Sequence, residues 1–294
     1  MNIETILMTI DYLEKLKEPE KDETLNKLIL FWRLKANQLK GQRQNTTDNI
    51  FCRFEPLVGF PPITLLELFA GHKSISKVAD KLGWQTFTSD INPGFKTDYT
   101  IDILNFDIKK VPFIPDVIWA SPICTTYSLA AINTHRIGKR PKTDLAFLSD
   151  KMVLKTQEII KHFLTLKPHL VFYIENPRAT LRKMPFMRVG EMFSKNIIDI
   201  PFRTTVTYCQ YGDRAMKPTD IWHNNPNWIA KPMCKNGDSC HEPAPRGSKT
   251  GTQGKLNAAE RSLVPAQLTF EILEAVKLTE LRLSCCGNKR KENN

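Results

Sequence analysis

The feature that most constrains the fold is an alternation, from residue 63 onward, of short apolar runs with longer stretches of helical periodicity. The runs predicted as strands are Ile63–Phe69, Gln85–Ser89, Asp116–Ala120 and Leu170–Ile174, and the stretches predicted as helices are Ser74–Leu82, Leu145–Leu164 and Leu263–Leu281. Strands that alternate with helices predict an α/β fold with a doubly wound, mostly parallel sheet. In such folds ligands bind beyond the carboxyl ends of the strands.

The rest of the chain divides around this domain. Apolar residues at helical spacing predict a helical N-terminal arm with a linker over residues 1–50, and the main domain runs over residues 51–222. A segment rich in Asn, Pro, Gly and Lys predicts a small loop-rich module over 223–258, followed by a C-terminal helix over 259–284 that completes the main domain and a polar tail over 285–294.

Composition limits the class of protein. A formal charge of +11 over 294 residues favours a polyanionic partner, although a solvated basic surface explains the same charge. Seven irregularly spaced cysteines indicate free thiols, a nucleophile or metal ligands in a reducing compartment. The start of the chain lacks the pattern of a secretory signal and no apolar run approaches the length of a membrane span, so we expect a cytoplasmic protein without membrane contact.

A turn and a carboxylate at the first two strand ends predict a nucleoside cofactor site. The first predicted strand leads into Ala70 and Gly71, and Asp90 follows the second strand. Glycine lets a ligand approach the backbone, and a carboxylate in this place accepts hydrogen bonds from ribose hydroxyls. An ordinary strand-turn-helix is the alternative interpretation.

Two further strand ends carry groups suited to covalent chemistry. Cys124 lies in a turn after the strand Asp116–Ala120, where a nearby helix N-terminus would favour its thiolate, and a buried structural cysteine is the alternative. Glu175 follows the strand Leu170–Ile174, where it can protonate or orient a heterocycle or, alternatively, pair with Arg178.

The order of these motifs, over residues 63–281, resembles that of the DNA (cytosine-5) methyltransferases, and it is most similar to the compact phage- or virus-type members. The motifs that carry the resemblance are Phe69–Gly71, Asp90, Asp102–Ile103, Pro122-Ile123-Cys124, Glu175-Asn176-Pro177, Gln210-Tyr211-Gly212 and Val264–Pro265. The resemblance implies an S-adenosylmethionine-dependent methyltransferase fold, double-stranded DNA as substrate, and a prokaryotic or phage-infected cell as its setting.

The resemblance also implies roles for individual residues. Cys124 would be the nucleophile, Glu175 would bind and protonate N3 of cytosine, and Arg214 or Lys217 would contact the flipped base. The residues implied at the S-adenosylmethionine site are Phe69, Ala70, Gly71, Asp90, Ile91, Asp102, Ile103, Pro122 and Val264.

The mechanism explains the residue types. A thiolate adds to C6 while an acid protonates N3, and this makes C5 nucleophilic; the base must leave the duplex stack to be reached. An RNA cytosine methyltransferase uses the same chemistry. A catalytically silent nucleic-acid-binding protein with this fold is a third possibility, and the altered Lys73 and Ser262 positions favour it. The intact residues that argue against it are Cys124, Glu175, Asp90 and Asp102. Lys73 and Ser74 stand where the family has a glycine-rich turn.

The loop-rich module carries metal-ligand and phosphate-binding residue types. Cys234, Cys240 and His241, with Cys209 and His223 upstream, predict a zinc site, although the spacing is not a standard pair of Cys-x-x-Cys motifs and unliganded loop cysteines are the alternative. Basic residues among small polar ones predict phosphate contacts, with a solvated loop as the alternative. The residues that we assign to nucleic-acid binding are Lys235, Arg246 and Lys249.

Overall fold

The computed structural model describes residues 61–129, 131–190, 195–235, 237–242 and 258–288. The predicted N-terminal arm lies outside these residues. The strands are β1 (Thr64–Leu68), β2 (Gln85–Asp90), β3 (Tyr99–Thr100), β4 (Val117–Ala120), β5 (Arg136–Ile137), β6 (Arg140–Pro141), β7 (Val171–Pro177), β8 (Phe202–Thr207) and β9 (Pro218–His223). The α-helices are α1 (Ser76–Lys81), α2 (Ile132–His135), α3 (Asp144–Leu166), α4 (Ala258–Ser262) and α5 (Ala266–Asn288).

Seven strands form one sheet in the order β3-β2-β1-β4-β7-β9-β8, and β5 and β6 form a separate antiparallel hairpin. The paired strands from β3 to β7 are parallel, whereas β9 is antiparallel to both β7 and β8. The prediction of a doubly wound, mostly parallel sheet is therefore confirmed. Strand order reverses between β1 and β4, so the loops that follow these two strands diverge and leave a crevice at the carboxyl edge.

The central strands are buried on both faces, which explains why they appear as continuous apolar runs. Every residue of β4 is buried, and the long helix α3 buries one side of its length, including Val153, Ile160 and Phe163, in the same core cluster. This core holds the carboxyl edge of the sheet rigid beneath the loops.

Glu67 is the charged exception within β1. Its carboxylate is 3% exposed and accepts hydrogen bonds from the amides of Ile75 (3.2 Å) and Ser76 (2.9 Å). These amides belong to the first turn of α1, whose N–H groups have no partner within the helix. Burial outweighs these bonds and raises the pKa of Glu67 to about 7.

Strands β8 and β9 were not predicted from the sequence, because polar residues interrupt their apolar pattern. Asp220 of β9 is fully buried and is paired with Arg182, whose guanidinium also donates to Thr205 of β8 at 2.9 Å. A buried carboxylate is tolerated at this position of the strand because Arg182, distant in sequence, pairs with Asp220 in the folded protein.

The C-terminal region differs from its prediction in two ways. A single helix was predicted over residues 263–281, but the structure has α4 and α5, separated by a break that ends at Pro265. Proline is tolerated just before a helix and not in its interior, which explains the break. The helix α5 also continues to Asn288, so the segment predicted as a polar tail from residue 285 begins as helix.

The segment predicted as a loop-rich module has no regular secondary structure among its described residues after β9. Residues 224–235 and 237–242 contain neither helix nor strand, and residues 243–257, with Arg246 and Lys249, lie outside the described part of the chain. Over the described ranges, no helix is both long enough and apolar enough to cross a membrane.

Candidate active site

The turn after β1 has an unusual backbone. Phe69, Gly71 and Lys73 all have positive φ, at 55°, 47° and 58°. Side chains at positive φ are strained, and such strain clusters at functional sites. A Cβ added at Gly71 would meet no atom within 4 Å, so open space lies in front of this backbone.

Asp90 connects this turn to the end of β2. Its Oδ2 accepts from the Gly71 amide and its Oδ1 accepts from the Asn92 amide, each at 2.9 Å. Each carboxylate oxygen has a second lone pair, so both retain acceptor capacity. The neighbouring Ile91 is 61% exposed, which leaves an apolar side chain beside the carboxylate.

The other predicted cofactor residues lie at the same edge with different exposure. Asp102 is half-buried and its Oδ1 accepts from the amide of Leu104 at 3.0 Å, whereas Ile103 is buried in the core. Ala70 and Pro122 are buried as well. Among these four residues Asp102 therefore offers the most accessible polar group.

A contact distant in sequence brings the C-terminal segment to this turn. The amide of Val264 donates to the Ser74 hydroxyl at 3.3 Å. Ser74 stands where the resembled family has a glycine-rich turn, so the substituted side chain is used to hold the predicted Val264 in place.

Cys124 and Glu175 lie at the ends of the neighbouring strands β4 and β7. Cys124 is exposed and directly precedes a 3-10 helix over Thr125–Tyr127. Glu175 is only 6% exposed, and its Oε1 accepts a hydrogen bond from the Tyr208 hydroxyl at 3.0 Å and lies 3.8 Å from Lys217 Nζ. A thiol and an oriented carboxyl group thus share one edge of the sheet.

The two groups are electrostatically linked. The dense protein around Cys124 raises the pKa of its thiol although the side chain is reachable from solvent, and the charge of Glu175 raises it further. Lys217 and Arg261 act in the opposite direction. The sequence analysis expected a thiolate favoured by a helix N-terminus, but burial and the neighbouring carboxylate dominate here, so the thiol is the favoured resting form.

Of the two basic residues expected near a substrate base, Lys217 lies in the site. It is buried, its Nζ donates to the Arg261 carbonyl at 2.9 Å, and it stands 4.6 Å from the centre of the Tyr208 ring. Arg214 is exposed, and its carbonyl accepts from the amide of Glu242 at 2.9 Å.

A buried ion-pair network supports the loop that follows Cys124. The Arg136 guanidinium contacts both oxygens of Asp150, at 2.6 and 3.2 Å, and donates to the Thr126 carbonyl at 3.0 Å. Tyr127 donates to Asp150 at 2.7 Å and lies under the guanidinium. Because these contacts bind the loop to α3, they hold the backbone directly after Cys124 in place.

The four predicted metal ligands are brought together. The ligand atoms of Cys209, Cys234, Cys240 and His241 all lie within 4.8 Å of one another. His223, the other upstream candidate, lies away from this set and stacks between Tyr173 and Phe202. Burial lowers the pKa of His223 to about 4.

The predicted DNA-binding residues are only partly described. Lys235 is exposed, whereas Arg246 and Lys249 lie outside the described residues. A second group of arginines, which the sequence analysis did not identify, lies around β8. Burial lowers the pKa of Arg203 in this strand, and the charges of Arg182, Arg188 and Arg178 lower it further.

Sequence reasoning missed Tyr208 and Asn176 as parts of the site. Tyr208 directly follows β8, a strand without a clear sequence signal, and its contact with Glu175 joins positions 33 residues apart. Asn176 belongs to the motif Glu175-Asn176-Pro177, but the hydrogen bond of its side-chain amide to the Pro122 carbonyl forms only in the folded sheet. No local pattern could have identified either contact.

A seven-stranded, doubly wound sheet with a reversed strand β9 and polar groups along its carboxyl edge is the fold of the S-adenosylmethionine-dependent methyltransferases, as the sequence predicts. The chain matches no family model and no curated protein sequence.

Solved structures of methyltransferases show a weak similarity. The Entamoeba histolytica methyltransferase EhMeth has a TM-score of 0.40 and 15% identity over 60% of this chain and 58% of that protein. Schizosaccharomyces pombe Dnmt2 has a TM-score of 0.35 and 13% identity over 59% of this chain and 52% of that protein. A mutant of Spodoptera frugiperda DNMT2 has a TM-score of 0.34 and 14% identity over 59% of this chain and 54% of that protein. This chain therefore matches less than two thirds of each relative, and likenesses this weak do not bear on activity.

Proposed function

We propose that the protein is an S-adenosylmethionine-dependent methyltransferase that methylates C5 of cytosine in double-stranded DNA. The observation that carries the proposal is the placement of Cys124 in the loop after β4 and of Glu175 in the neighbouring strand β7, at the carboxyl edge of the parallel strands. This pair combines a nucleophile with a general acid, and both are needed to activate C5 of cytosine.

The residues around the turn after β1 suit the cofactor. The open space before Gly71, the acceptor oxygens of Asp90 and the exposed Ile91 match a nucleoside with hydroxyl groups and an apolar ring face. We assign the ribose to Asp90 and the adenine to the vicinity of Asp102. When bound, S-adenosylmethionine supplies a methyl group on a positively charged sulfur.

The thiolate of Cys124 forms a bond to C6 of the base, and the carboxylic acid of Glu175 gives its proton to N3. C5 thereby becomes nucleophilic, and the sulfonium of S-adenosylmethionine would supply the methyl group there, with its sulfur–methyl bond broken and a neutral thioether left behind. A base then removes the C5 proton, the bond between C6 and Cys124 breaks to return the thiolate, and the N3 proton returns to Glu175. The Tyr208 and Lys217 contacts are both to Oε1 of Glu175, and we assign Oε2 to the base.

The resting state of Cys124 fits this sequence of steps. Since the Glu175 charge opposes the thiolate, protonation of Glu175 removes one obstacle to forming it, while Lys217 and Arg261 favour it. Attack on C6 requires a Cys124 thiolate together with a Glu175 carboxylic acid, and loss of the Glu175 charge makes that thiolate easier to form.

The net charge of +11 and the arginines around Arg203 support a nucleic-acid substrate. We assign DNA through the motif order, and a compact phage- or virus-type enzyme in the cytoplasm of a prokaryotic or phage-infected cell through the same resemblance. RNA remains the alternative substrate, and a silent binding protein the alternative function.

The decisive experiment traps the covalent intermediate. We expect the wild-type chain, in the presence of S-adenosylmethionine, to form a denaturation-resistant complex with a duplex that contains 5-fluorocytosine. A base cannot remove fluorine from C5 as it removes a proton, so the bond between Cys124 and C6 would not break. Cys124→Ala should abolish both the complex and methyl transfer. A matched panel of duplex DNA and tRNA identifies the substrate: trapping on tRNA alone would replace DNA by RNA, and no trapping on either would favour a silent binder.

A further inference from the structure

Three thiols and one imidazole converge at the junction of β8 with the loop-rich module. Cys209 lies in a 3-10 helix (Tyr208–Tyr211) directly after β8, and the other ligand atoms come from Cys234, Cys240 and His241. Cys209, Cys234 and His241 are buried, and Cys240 closes the cluster at the surface. None of these four side chains has a part in the chemistry proposed above.

Three of the six distances within the cluster are close to the edges of a tetrahedron around zinc, and all six are within 4.8 Å. Bonds of about 2.3 Å to sulfur and about 2.0 Å to nitrogen place two sulfurs about 3.8 Å apart and a sulfur about 3.5 Å from a nitrogen. The two sulfurs of Cys240 and Cys209 are 3.7 Å apart, and His241 Nδ1 lies 3.5 Å from the sulfur of Cys234 and 3.7 Å from that of Cys240. A disulfide between the first pair would instead require a separation of about 2.0 Å.

Backbone contacts hold the ligand-bearing segments against the end of β8. The Cys234 amide donates to Thr207 Oγ1 at 2.9 Å, and the Lys231 amide donates to the Tyr211 hydroxyl at 2.8 Å. Between Cys234 and Cys240 the chain turns at Lys235, whose amide donates to Asp238 at 2.7 Å. The four ligands are therefore positioned by neighbouring structure before any ion is considered.

We propose that Cys209, Cys234, Cys240 and His241, through Nδ1, bind one zinc ion in a closed structural site. Four protein ligands complete a tetrahedral shell and leave no position for water or substrate, which is typical of a structural and not a catalytic zinc. The ion would connect the segment over residues 224–242, which has neither helix nor strand among its described residues, to the end of β8.

The site also bears on the position of Tyr208. Cys209 follows Tyr208 in the same 3-10 helix, and the Tyr208 hydroxyl reaches Glu175. Zinc bound to Cys209 would fix the position of this helix relative to β7. Loss of the zinc ion should therefore weaken the contact between Tyr208 and Glu175. The zinc proposal itself does not depend on the activity assigned to Glu175.

The test is the metal content of the full, tag-free chain purified without chelators, measured by mass spectrometry of the element. We expect about one zinc ion per chain in the wild type and in the control Cys124→Ser, and a large loss in Cys234→Ser and in Cys240→Ser. Cys124→Ser is the matched control because it removes an exposed cysteine outside the cluster. Zinc contents that are equal in all four proteins, or absent from the wild type, would overturn the proposal.

A second measurement covers the case in which the cluster variants fail to fold. Cobalt(II) exchanged into the folded wild type should give the visible absorption of a tetrahedral ion and the near-ultraviolet charge-transfer bands of thiolate ligation. Chelator should lower the melting temperature of the wild type, because metal binding contributes to folding. A six-coordinate cobalt spectrum, or an intact mass two hydrogens lower that shows a disulfide, would contradict a zinc site.

Discussion

The side chain of Asn176 donates its Nδ2 to the Pro122 carbonyl at 2.9 Å, and this bond joins the strand that carries Glu175 to the loop that carries Cys124. Both partners are buried. Asn176 is therefore a positioning residue: it sets the relation between the two reacting side chains without itself needing to touch a substrate.

Asn176→Ala should reduce kcat about tenfold to a hundredfold with little change in KM for DNA, because misplaced reacting groups lower the rate of the chemical step. The lost hydrogen bond should also cost about 1 to 3 kcal/mol of stability. Single-turnover methylation and denaturant unfolding measure the two effects separately.

Asn224→Ala is the matched control for this prediction. Asn224 also bonds backbone groups of β7, accepting from the Phe172 amide at 2.9 Å and donating to the Leu170 carbonyl at 2.8 Å, but at the opposite end of the strand. It should lose stability and keep the wild-type kcat of the folded protein. Equal losses of kcat in the two variants would argue against a positioning role for Asn176.

The pKa of Cys124 should depend on its charged neighbours. Glu175→Gln removes a negative charge and should lower the pKa of the thiol, whereas Lys217→Met should raise it. The rate of iodoacetamide alkylation at Cys124, followed by peptide mass spectrometry across pH, reports this pKa.

Glu271→Gln is the charge-matched control for the alkylation experiment, since Glu271 pairs with Lys231 at 3.0 Å and is absent from the charges that act on Cys124. Its alkylation profile at Cys124 should be unchanged. If the pH dependence of Cys124 alkylation is unchanged in Glu175→Gln, the Glu175 carboxylate does not affect the pKa of the thiol.

Removal of the Asp90 carboxylate should weaken S-adenosylmethionine binding about tenfold or more, a loss of about 1 to 3 kcal/mol, because the ribose hydroxyls lose their acceptor. Asp90→Ala also removes the bond to the Gly71 amide. Calorimetric titration measures the affinity. Asp107→Ala, which deletes an exposed carboxylate that also accepts a hydrogen bond from a backbone amide, should leave the affinity unchanged. Wild-type affinity in Asp90→Ala would place the cofactor elsewhere.

Glu67 should make the stability of the domain depend on pH. Its pKa is raised from 4.5 to about 7 on folding, so its contribution is fully present below pH 4.5 and declines as the pH rises through about 7. The full effect amounts to about 3 kcal/mol. Chemical unfolding between pH 5 and pH 8 should show this decline in the wild type and a flatter profile in Glu67→Gln; parallel profiles would contradict the prediction.

Phosphate contacts by the loop-rich module should appear in the salt dependence of DNA binding. The triple variant Lys235→Ala, Arg246→Ala, Lys249→Ala should bind duplex DNA more weakly on all sequences, with a slope shallower by about one unit for each lost contact. Fluorescence anisotropy over a salt series measures both quantities.

The control for this series removes three exposed lysines from outside the loop-rich module, Lys77, Lys109 and Lys110, and has the same net charge as the loop variant. If it weakens binding as much as the loop variant, general charge and not local contact explains the affinity. A changed target preference in the loop variant would instead indicate that the loop reads bases.

The sequence by itself determined four adjacent parallel strands of the sheet, β1, β2, β4 and β7, and the order of the candidate site residues at their ends. Strands β1, β4 and β7 are buried and mostly apolar, and local patterns of this kind follow directly from burial on both faces. Strand β2 is more polar and only partly buried. Asp90, Cys124 and Glu175 could be located because each stands at or just beyond the end of a predicted strand.

Only the tertiary structure decided which side chains meet across those ends. The contact of Tyr208 with Glu175, the bond of Asn176 to Pro122 and the contact of Val264 with Ser74 join positions 33, 54 and 190 residues apart. The resting state of Cys124 belongs to the same group, because burial and the charge of Glu175 arise only when β4 and β7 pack side by side. Strands β8 and β9 were missed since the charge of Asp220 becomes compatible with a sheet interior only after Arg182 folds against it.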